Sequence, residues 1–197
     1  MLSVVPLLAP EQFPLATIPY PRIAAIVVED PARLDVDAII CPWNPQSVSE
    51  RAVRDRIYGS AGTALGKAAS SAASGKAKTH AFLTPGYRLL ARRVLHVAVP
   101  NAQTIATPAN SNIASYVTEG LRSASESKTA SIAILAPPIV SERDDYAARR
   151  LVREIAQWCA TNTSPFAIFL CCADSRLAAA IGRHIGGLAD SGATAKP

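Results

Sequence analysis

The chain has 197 residues, of which 49% are hydrophobic and 18% charged, a balance that excludes a disordered or collagen-like protein and predicts one folded domain. Its apolar runs are far shorter than the roughly 20 residues of a membrane-spanning helix, so we expect no membrane partner and an intracellular location, cytoplasmic or nuclear. A formal charge of +5 suits an anionic ligand, although many plain globular proteins share it.

Prolines at positions 6, 10, 14 and 19 interrupt the start of the chain, and residues 1–20 are therefore interpreted as an extended, proline-rich N-terminal arm. Two apolar runs closed by turn residues follow, at residues 23–28 and 36–41, and they predict the first two strands. Apolar residues at helical spacing then predict one long helix over residues 51–73.

A tight turn is predicted at Pro85-Gly86, between two further strands at residues 81–83 and 94–99. Proline presets φ at the second position of a type II turn, and glycine accepts the positive φ of the third. We therefore expect Gly86 to have a positive φ and to be structurally indispensable.

The second half of the chain alternates amphipathic helices with apolar strands. Helices are predicted at 112–125, 145–159 and 175–185, and strands at 131–136 and 166–172. Residues 187–197 are small and polar and are interpreted as a flexible tail. The alternation predicts an α/β protein with three layers, α/β/α, around a central mixed and largely parallel sheet. In such sheets ligands bind at the carboxyl ends of the strands.

Several sequence segments occur in the order typical of macrodomains. VDAIICPWNP at residues 36–45 resembles the family's VDAIVNAANP strand and loop, and Asp30 falls at the aspartate of its GD-I motif. GKAKTHAFLTPGYRLLARRVLHVAVP at residues 75–100 resembles the family pattern around T-x-G-Y-x-L and V-I-H. Residues 21–186 are therefore identified as a divergent macrodomain-like domain, for which the resemblance implies the three-layer fold.

The resemblance also implies a ligand, because macrodomains bind ADP-ribose. It assigns Asp30 as the acceptor for an adenine amine, with a turn aspartate before Pro31 as the alternative. It assigns Asn44 to the distal ribose, with turn capping before Pro45 as the alternative. Asp37 also matches a family position, and we interpret it as structural.

Both glycine-rich phosphate loops of the family are replaced in this chain. SVSERA stands at residues 47–52 and VSERDDY at residues 140–146. Each lost glycine places a Cβ where the family keeps bare backbone, and the acids oppose a pyrophosphate. We expect the segments 47–53 and 140–146 to come together over one cleft with little room for a pyrophosphate. The remaining ligand contacts are assigned to Arg51, Val53, Arg54, Ser141 and Arg143.

The resemblance places the catalytic Asp and His of the hydrolysing macrodomains at Arg54 and Tyr58, so we expect no catalytic residue. His96 lies inside an apolar strand and is interpreted as a packed core histidine. Cys41 ends a buried strand without a histidine nearby in the sequence, which indicates an unreactive thiol. Trp43 either fills the cleft or offers a stacking surface. Four irregularly spaced cysteines and three histidines predict no metal site, and we expect no cofactor.

The sequence thus predicts a divergent macrodomain that binds an ADP-ribose-like ligand or another nucleotide derivative, with weakened or lost affinity for ADP-ribose and without hydrolase chemistry. The alternative is a degenerate macrodomain that acts as a protein or RNA interaction module. An active ADP-ribosyl hydrolase would need residues that this chain lacks.

Overall fold

Six strands form one sheet in the computed structural model, which describes residues 22–27, 30–44, 48–75, 81–98, 111–135 and 142–192. The predicted N-terminal arm, residues 1–20, lies outside the described residues. The strands are β1 (Ile23–Val27), β2 (Ala38–Trp43), β3 (Ala81–Pro85), β4 (Arg93–Ala98), β5 (Ser131–Leu135) and β6 (Ala167–Cys172).

Five α-helices and one short 3-10 turn are described between and after these strands. The helices are α1 (Val48–Ala61), α2 (Thr63–Gly75), α3 (Ser111–Glu126), α4 (Glu142–Thr161) and α5 (Ser175–Gly192), and the 3-10 turn is Pro31–Arg33. No helix in these described segments is long and apolar enough to cross a membrane.

The strand order is β1-β6-β5-β2-β4-β3, and all neighbours are parallel except β3 and β4. Successive residues of β2 point to opposite faces, so that Ile40 joins one hydrophobic cluster while Ile39 and Cys41 join the other. The first cluster includes buried residues of α3, α4 and α5, and the second includes those of α1 and α2. Helices thus cover both faces, and the predicted α/β/α fold with a mixed, largely parallel sheet is confirmed.

Two predicted helix boundaries are wrong. The single helix expected over 51–73 is two helices, α1 and α2, because Gly62 adopts a left-handed φ of +84° between them. The apolar spacing did not reveal this break, since Ala61 and Leu65 on either side are both buried. Helix α5 also continues to Gly192, beyond the predicted end at residue 185, so the predicted tail 187–197 begins with helical residues.

The predicted turn geometry at Gly86 is also wrong, because the positive φ belongs to Tyr87, at 55°. Gly86 is required for another reason, the close approach of the backbone. Its N–H donates to the Arg92 carbonyl over 2.9 Å, and a Cβ on Gly86 would lie 1.8 Å from the Ala91 carbonyl oxygen. Only a residue without a Cβ fits this position as it stands.

Asp37 connects the beginnings of β2 and β5, as its structural interpretation predicts. Its Oδ2 accepts from the backbone N–H groups of Ala130 at 3.0 Å and Ser131 at 3.1 Å. Its own N–H donates to Ser131 Oγ over 2.9 Å. Hydrogen bonds to an ionised group are stronger than neutral ones, so this carboxylate contributes to the alignment of the two strands.

Asp37→Ala is expected to lower the free energy of unfolding by about 2 kcal/mol, because two backbone N–H groups lose a charged acceptor. Asp37→Asn keeps an oxygen acceptor and should cost less. Urea denaturation measures both variants. Asp35→Ala is the matched control, since Asp35 is an exposed aspartate two residues away, and it should change stability by less than about 0.5 kcal/mol. Equal losses for Asp35→Ala and Asp37→Ala would contradict the assignment.

Candidate functional site

The carboxyl end of β2 places Trp43 and Asn44 at the edge of the sheet where ligands of parallel α/β folds bind. Asn44 is exposed and has a left-handed φ of 52°, a conformation that asparagine tolerates better than most residues. This conformation is consistent with the predicted turn role of Asn44. Its assigned role at a ribose stays a prediction.

Asp30 precedes the 3-10 turn and caps it, which confirms the turn interpretation of this residue. Its Oδ1 accepts from the Ala32 N–H at 2.9 Å and from Ser60 Oγ at 2.8 Å. These two hydrogen bonds, the one from Ala32 first, lower the pKa of the exposed Asp30 carboxyl below its usual value. A carboxylate has about four acceptor positions, so Asp30 is an ionised, oriented acceptor with capacity beyond these two contacts.

Three of the assigned residues lie in the first half of α1, and they differ in exposure. Arg51 is exposed, and Arg54 is half-buried. The Arg54 guanidinium pairs with Asp55 at 2.9 Å and lies over the Tyr58 ring, 6.0 Å from its centroid. Val53 is instead buried in the hydrophobic cluster under α1, which leaves its side chain in a packing role.

An aromatic cluster of Trp43, Tyr58, Phe82 and His96 surrounds the middle of β4. His96 is fully buried, its ring stacks on Phe82 at 4.8 Å, and its Nε2 forms a 2.9 Å hydrogen bond with Thr84 Oγ1. Trp43 contacts both rings edge-on, at 5.4 Å from Phe82 and 6.1 Å from His96. Burial lowers the pKa of His96 to about 4. The prediction of a packed core histidine is therefore confirmed.

The groups around this cluster are poor bases or nucleophiles. Burial raises the pKa of the Tyr58 phenol, whose OH lies 3.4 Å from His96 Nδ1, and burial also raises the pKa of the Cys41 thiol. Both groups are therefore protonated at neutral pH. Arg54, which lies over the Tyr58 ring, is a permanent cation. In the part of the chain that is described, His, Cys, Asp and Glu form no group that could hold a metal ion.

Part of the assigned site falls outside the described residues. Ser141 is one such residue, and the side chain of Arg143 is another, although the backbone of Arg143 belongs to α4. The predicted approach of the segments 47–53 and 140–146 over one cleft also involves positions outside the described residues. It stays a prediction.

Sequence reasoning missed two features of this region. Phe82 and Thr84 were not singled out, although the antiparallel register places Phe82 opposite His96 and Thr84 follows on the same face. The spacing of Phe82 and Thr84, two positions apart in a short strand, was the signal that could have indicated their common face. Ser60, which donates to Asp30, gave no signal in the sequence, since the contact joins residues 30 positions apart.

Comparisons with known proteins agree with the fold. The family model described as Macro domain matches residues 40–152. No curated protein matches the sequence. Among solved structures, the Oceanobacillus iheyensis macrodomain with ADP is 16% identical, with 85% of this chain and 91% of that chain covered and a TM-score of 0.66.

Two further solved structures are similar over most of the chain. The Trypanosoma brucei macrodomain in complex with ADP is 19% identical, with 83% of this chain and 69% of that chain covered and a TM-score of 0.61. The macro domain of ganglioside induced differentiation associated protein 2 is 21% identical, with 77% of each chain covered and a TM-score of 0.56. At sequence identities this low, the similarity to these structures concerns the fold alone.

Proposed function

Because the chain belongs to the Macro domain family, we propose that it binds an ADP-ribose-like ligand or another nucleotide derivative, with weakened affinity for ADP-ribose and without hydrolase chemistry. One structure of the Oceanobacillus iheyensis relative contains ADP, and one of a mutant of it contains ADPR. The Trypanosoma brucei relative is likewise in complex with ADP.

The observation that carries the proposal is the Asp30 carboxylate. It is exposed, ionised, and oriented through Oδ1 by the Ala32 N–H and by Ser60 Oγ. An acceptor whose orientation is already fixed loses little conformational freedom on binding, which favours an exocyclic amine such as that of adenine. Asp30 therefore combines its turn-capping role with that of a ligand acceptor.

The cations assigned to the phosphates lie at the other end of α1. Asp30 lies beside Ser60 of this helix, to which it is hydrogen-bonded. Arg51 precedes Ser60 by nine residues, which is about 14 Å along the helix axis at 1.5 Å per residue. An extended nucleoside diphosphate has a comparable length. Its base would meet Asp30, and its phosphates would meet Arg51 and Arg54.

Weakened affinity follows from the replacement of glycines at residues 47–52. Backbone N–H groups hold a phosphate without conformational cost, whereas arginine side chains lose rotamer freedom when they bind. Arg54 must also share its guanidinium with Asp55 and the Tyr58 ring. Side-chain contacts therefore replace the backbone cradle only in part.

Calorimetric titration with ADP-ribose tests the proposal. We expect weak binding by the wild-type chain and a loss of about tenfold or more in Asp30→Ala, since a charged acceptor is removed. Asp35→Ala removes an exposed aspartate five residues along the chain and should bind as the wild type does. Thermal unfolding of each variant shows whether a loss of affinity comes from misfolding.

Two outcomes would contradict the proposal. Equal affinities of Asp30→Ala and wild type would exclude Asp30 as the acceptor. If neither ADP-ribose nor ADP gave a binding signal with the wild-type chain, the alternative of a degenerate macrodomain that acts as a protein or RNA interaction module would replace it.

No hydrolysis of ADP-ribosylated protein or of O-acetyl-ADP-ribose is expected above the uncatalysed rate. Arg54 cannot accept a proton, and burial keeps the Tyr58 phenol protonated. Both ring nitrogens of the buried His96 already contact hydroxyl groups. Release of ADP-ribose can be followed chromatographically. Turnover that persists through repeated purification and disappears in Tyr58→Phe would contradict this prediction.

A further inference from the structure

The turn between β3 and β4, residues 86–92, alternates buried and exposed residues. Its buried members are Gly86, Leu89 and Ala91, and its exposed members are Tyr87, Arg88, Leu90 and Arg92. Two of the exposed residues are large and apolar or aromatic, with Tyr87 at 45% and Leu90 at 60% exposure. The turn therefore presents one aromatic and one aliphatic side chain to solvent.

Hydrogen bonds fix the backbone of this turn on both sides. Gly86 N–H donates to the Arg92 carbonyl at 2.9 Å, which closes the turn itself. Leu90 N–H donates to the Ala32 carbonyl at 2.9 Å, which attaches the turn to the 3-10 segment. The exposed side chains consequently project from a backbone of defined geometry, which lowers the entropy cost of ordering the turn when a partner binds.

Tyr87 has the conformation that stands out most. Its φ of 55° lies in the left-handed region, which is rare for a bulky aromatic residue, and nearly half of its side chain is in solvent. Glycine would satisfy this backbone without strain. Strained conformations of this kind concentrate at functional sites, so the Tyr87 side chain is a candidate for a functional contact.

Three arginines lie in the turn or in the segment attached to it. Arg88 and Arg92 belong to the turn, and Arg33 follows Ala32, the residue that accepts from Leu90 N–H. The Arg92 side chain is 79% exposed even though it lies 3.7 Å from Asp37. The acidic residues beside them are Asp35, which is exposed, and Asp37, so three positive charges stand against two negative ones and the balance is basic by one charge. We call Arg33, Tyr87, Arg88, Leu90 and Arg92 the turn patch.

We propose that the turn patch binds an acidic peptide segment of a partner protein, with an apolar side chain of that segment packed on Leu90 and Tyr87. Guanidinium groups form strong, geometrically specific pairs with carboxylates, and Tyr and Arg are enriched among the residues that dominate interface energetics. An aliphatic side chain such as that of Leu90 is not a stacking platform for bases, which favours a peptide over RNA.

The turn patch differs in location from the carboxyl end of β2. It adjoins the beginnings of β2 and β4, since Arg92 N–H donates to the Val36 carbonyl. Trp43 is at the far end of β2, about 17 Å away at 3.3 Å per residue from Ala38. On its other side the turn patch adjoins Asp30, because Ala32 accepts from Leu90 N–H and donates its own N–H to Asp30 Oδ1. Peptide binding at the turn patch uses other side chains than the nucleotide site proposed above, and in this respect goes beyond it.

Fluorescence anisotropy of a labelled synthetic peptide tests the inference. The probe alternates pairs of glutamates with leucine or phenylalanine, and a counterpart with lysines in place of the glutamates is the control. We expect the acidic peptide to bind, the lysine peptide not to bind, and added salt to weaken binding. Leu90→Ser and Arg88→Glu should each lower the affinity about fivefold or more.

Matched variants outside the turn patch control for general surface effects. Phe166 is a large apolar residue with 71% exposure, and Arg176 is an exposed arginine of α5. Phe166→Ser and Arg176→Glu make the same chemical changes elsewhere and should leave peptide affinity unchanged.

A pair of glycine substitutions separates strain from function. Lys128 also has a left-handed φ, of 52°, after the end of α3. Tyr87→Gly and Lys128→Gly should both raise the thermal midpoint, because glycine relieves the strained backbone. Only Tyr87→Gly should weaken peptide binding, and it should therefore give a chain that is more stable but binds less well.

Three results would overturn the inference. The first is no binding of the acidic peptide to the wild-type chain. The second is a loss of affinity in Phe166→Ser or Arg176→Glu equal to that in the turn-patch variants. The third is binding of a labelled oligouridine that the turn-patch variants abolish while the peptide stays unbound, which would assign the surface to RNA.

Discussion

Gly86→Ala is expected to lower the free energy of unfolding by about 3 kcal/mol, near the upper end of overpacking effects. The added Cβ would lie 1.8 Å from the Ala91 carbonyl oxygen, a backbone atom that cannot move without opening the turn. Such a shift would break the hydrogen bond from Gly86 N–H to the Arg92 carbonyl, which closes the turn. Urea or thermal denaturation measures the loss.

Gly59→Ala is the matched control for this prediction. A Cβ on Gly59 would meet nothing within 4 Å, and the residue lies inside α1, where alanine is the better helix former. This variant should be more stable than the wild type by up to about 1 kcal/mol. A Gly86→Ala chain as stable as Gly59→Ala would show that the turn relaxes freely.

His96 is expected to make the protein strongly sensitive to acid. Burial lowers its pKa to about 4 in the folded chain, against about 6.5 in the unfolded chain. Between these values the unfolded state binds more protons, so stability falls as the pH falls. From pH 7 to pH 4 the loss from this one group amounts to about 3 kcal/mol, at about 1.4 kcal/mol for each unit of pKa difference.

Comparison of pH profiles isolates this contribution. His96→Gln keeps a neutral polar side chain beside Thr84, and its free energy of unfolding should vary less between pH 7 and pH 4 than that of the wild type. His184→Gln is the control, because His184 is a partly exposed histidine that contacts Asp145 at 2.9 Å. If His96→Gln and wild type lost stability in parallel, the buried imidazole would not be the cause.

The strands could be predicted from the sequence because parallel strands covered on both faces consist of continuous apolar residues. The run at residues 131–136 became β5, and the run at 166–172 became β6. The backbone conformation of single glycines could not be predicted in the same way. Gly62 interrupts a helix whose apolar spacing continues across it, and Gly86 is needed for a close contact that only the folded chain contains.

Residues of the candidate site could be assigned from the sequence only where they fall within segments that match the family's motifs. Asp30 and Asn44 could be located in this way. The surroundings of Asp30 could not, because Ser60 approaches it from another element. Likewise, the environment of His96 depends on Phe82 and Tyr58, which belong to a strand and a helix that meet only through tertiary packing.

The strand order has a consequence for synthesis of the chain on the ribosome. Among the described strands, β1 is at the edge of the sheet, where Ile23 pairs with Ile168 of β6, and the adjacent Arg22 donates to carbonyl groups of Cys159, Asn162 and Pro165. During translation β1 therefore emerges long before its neighbour exists, and one edge of β5 also stays open until β6 follows. Exposed apolar edges of this kind favour aggregation, so the nascent chain carries this risk until β6 has left the exit tunnel.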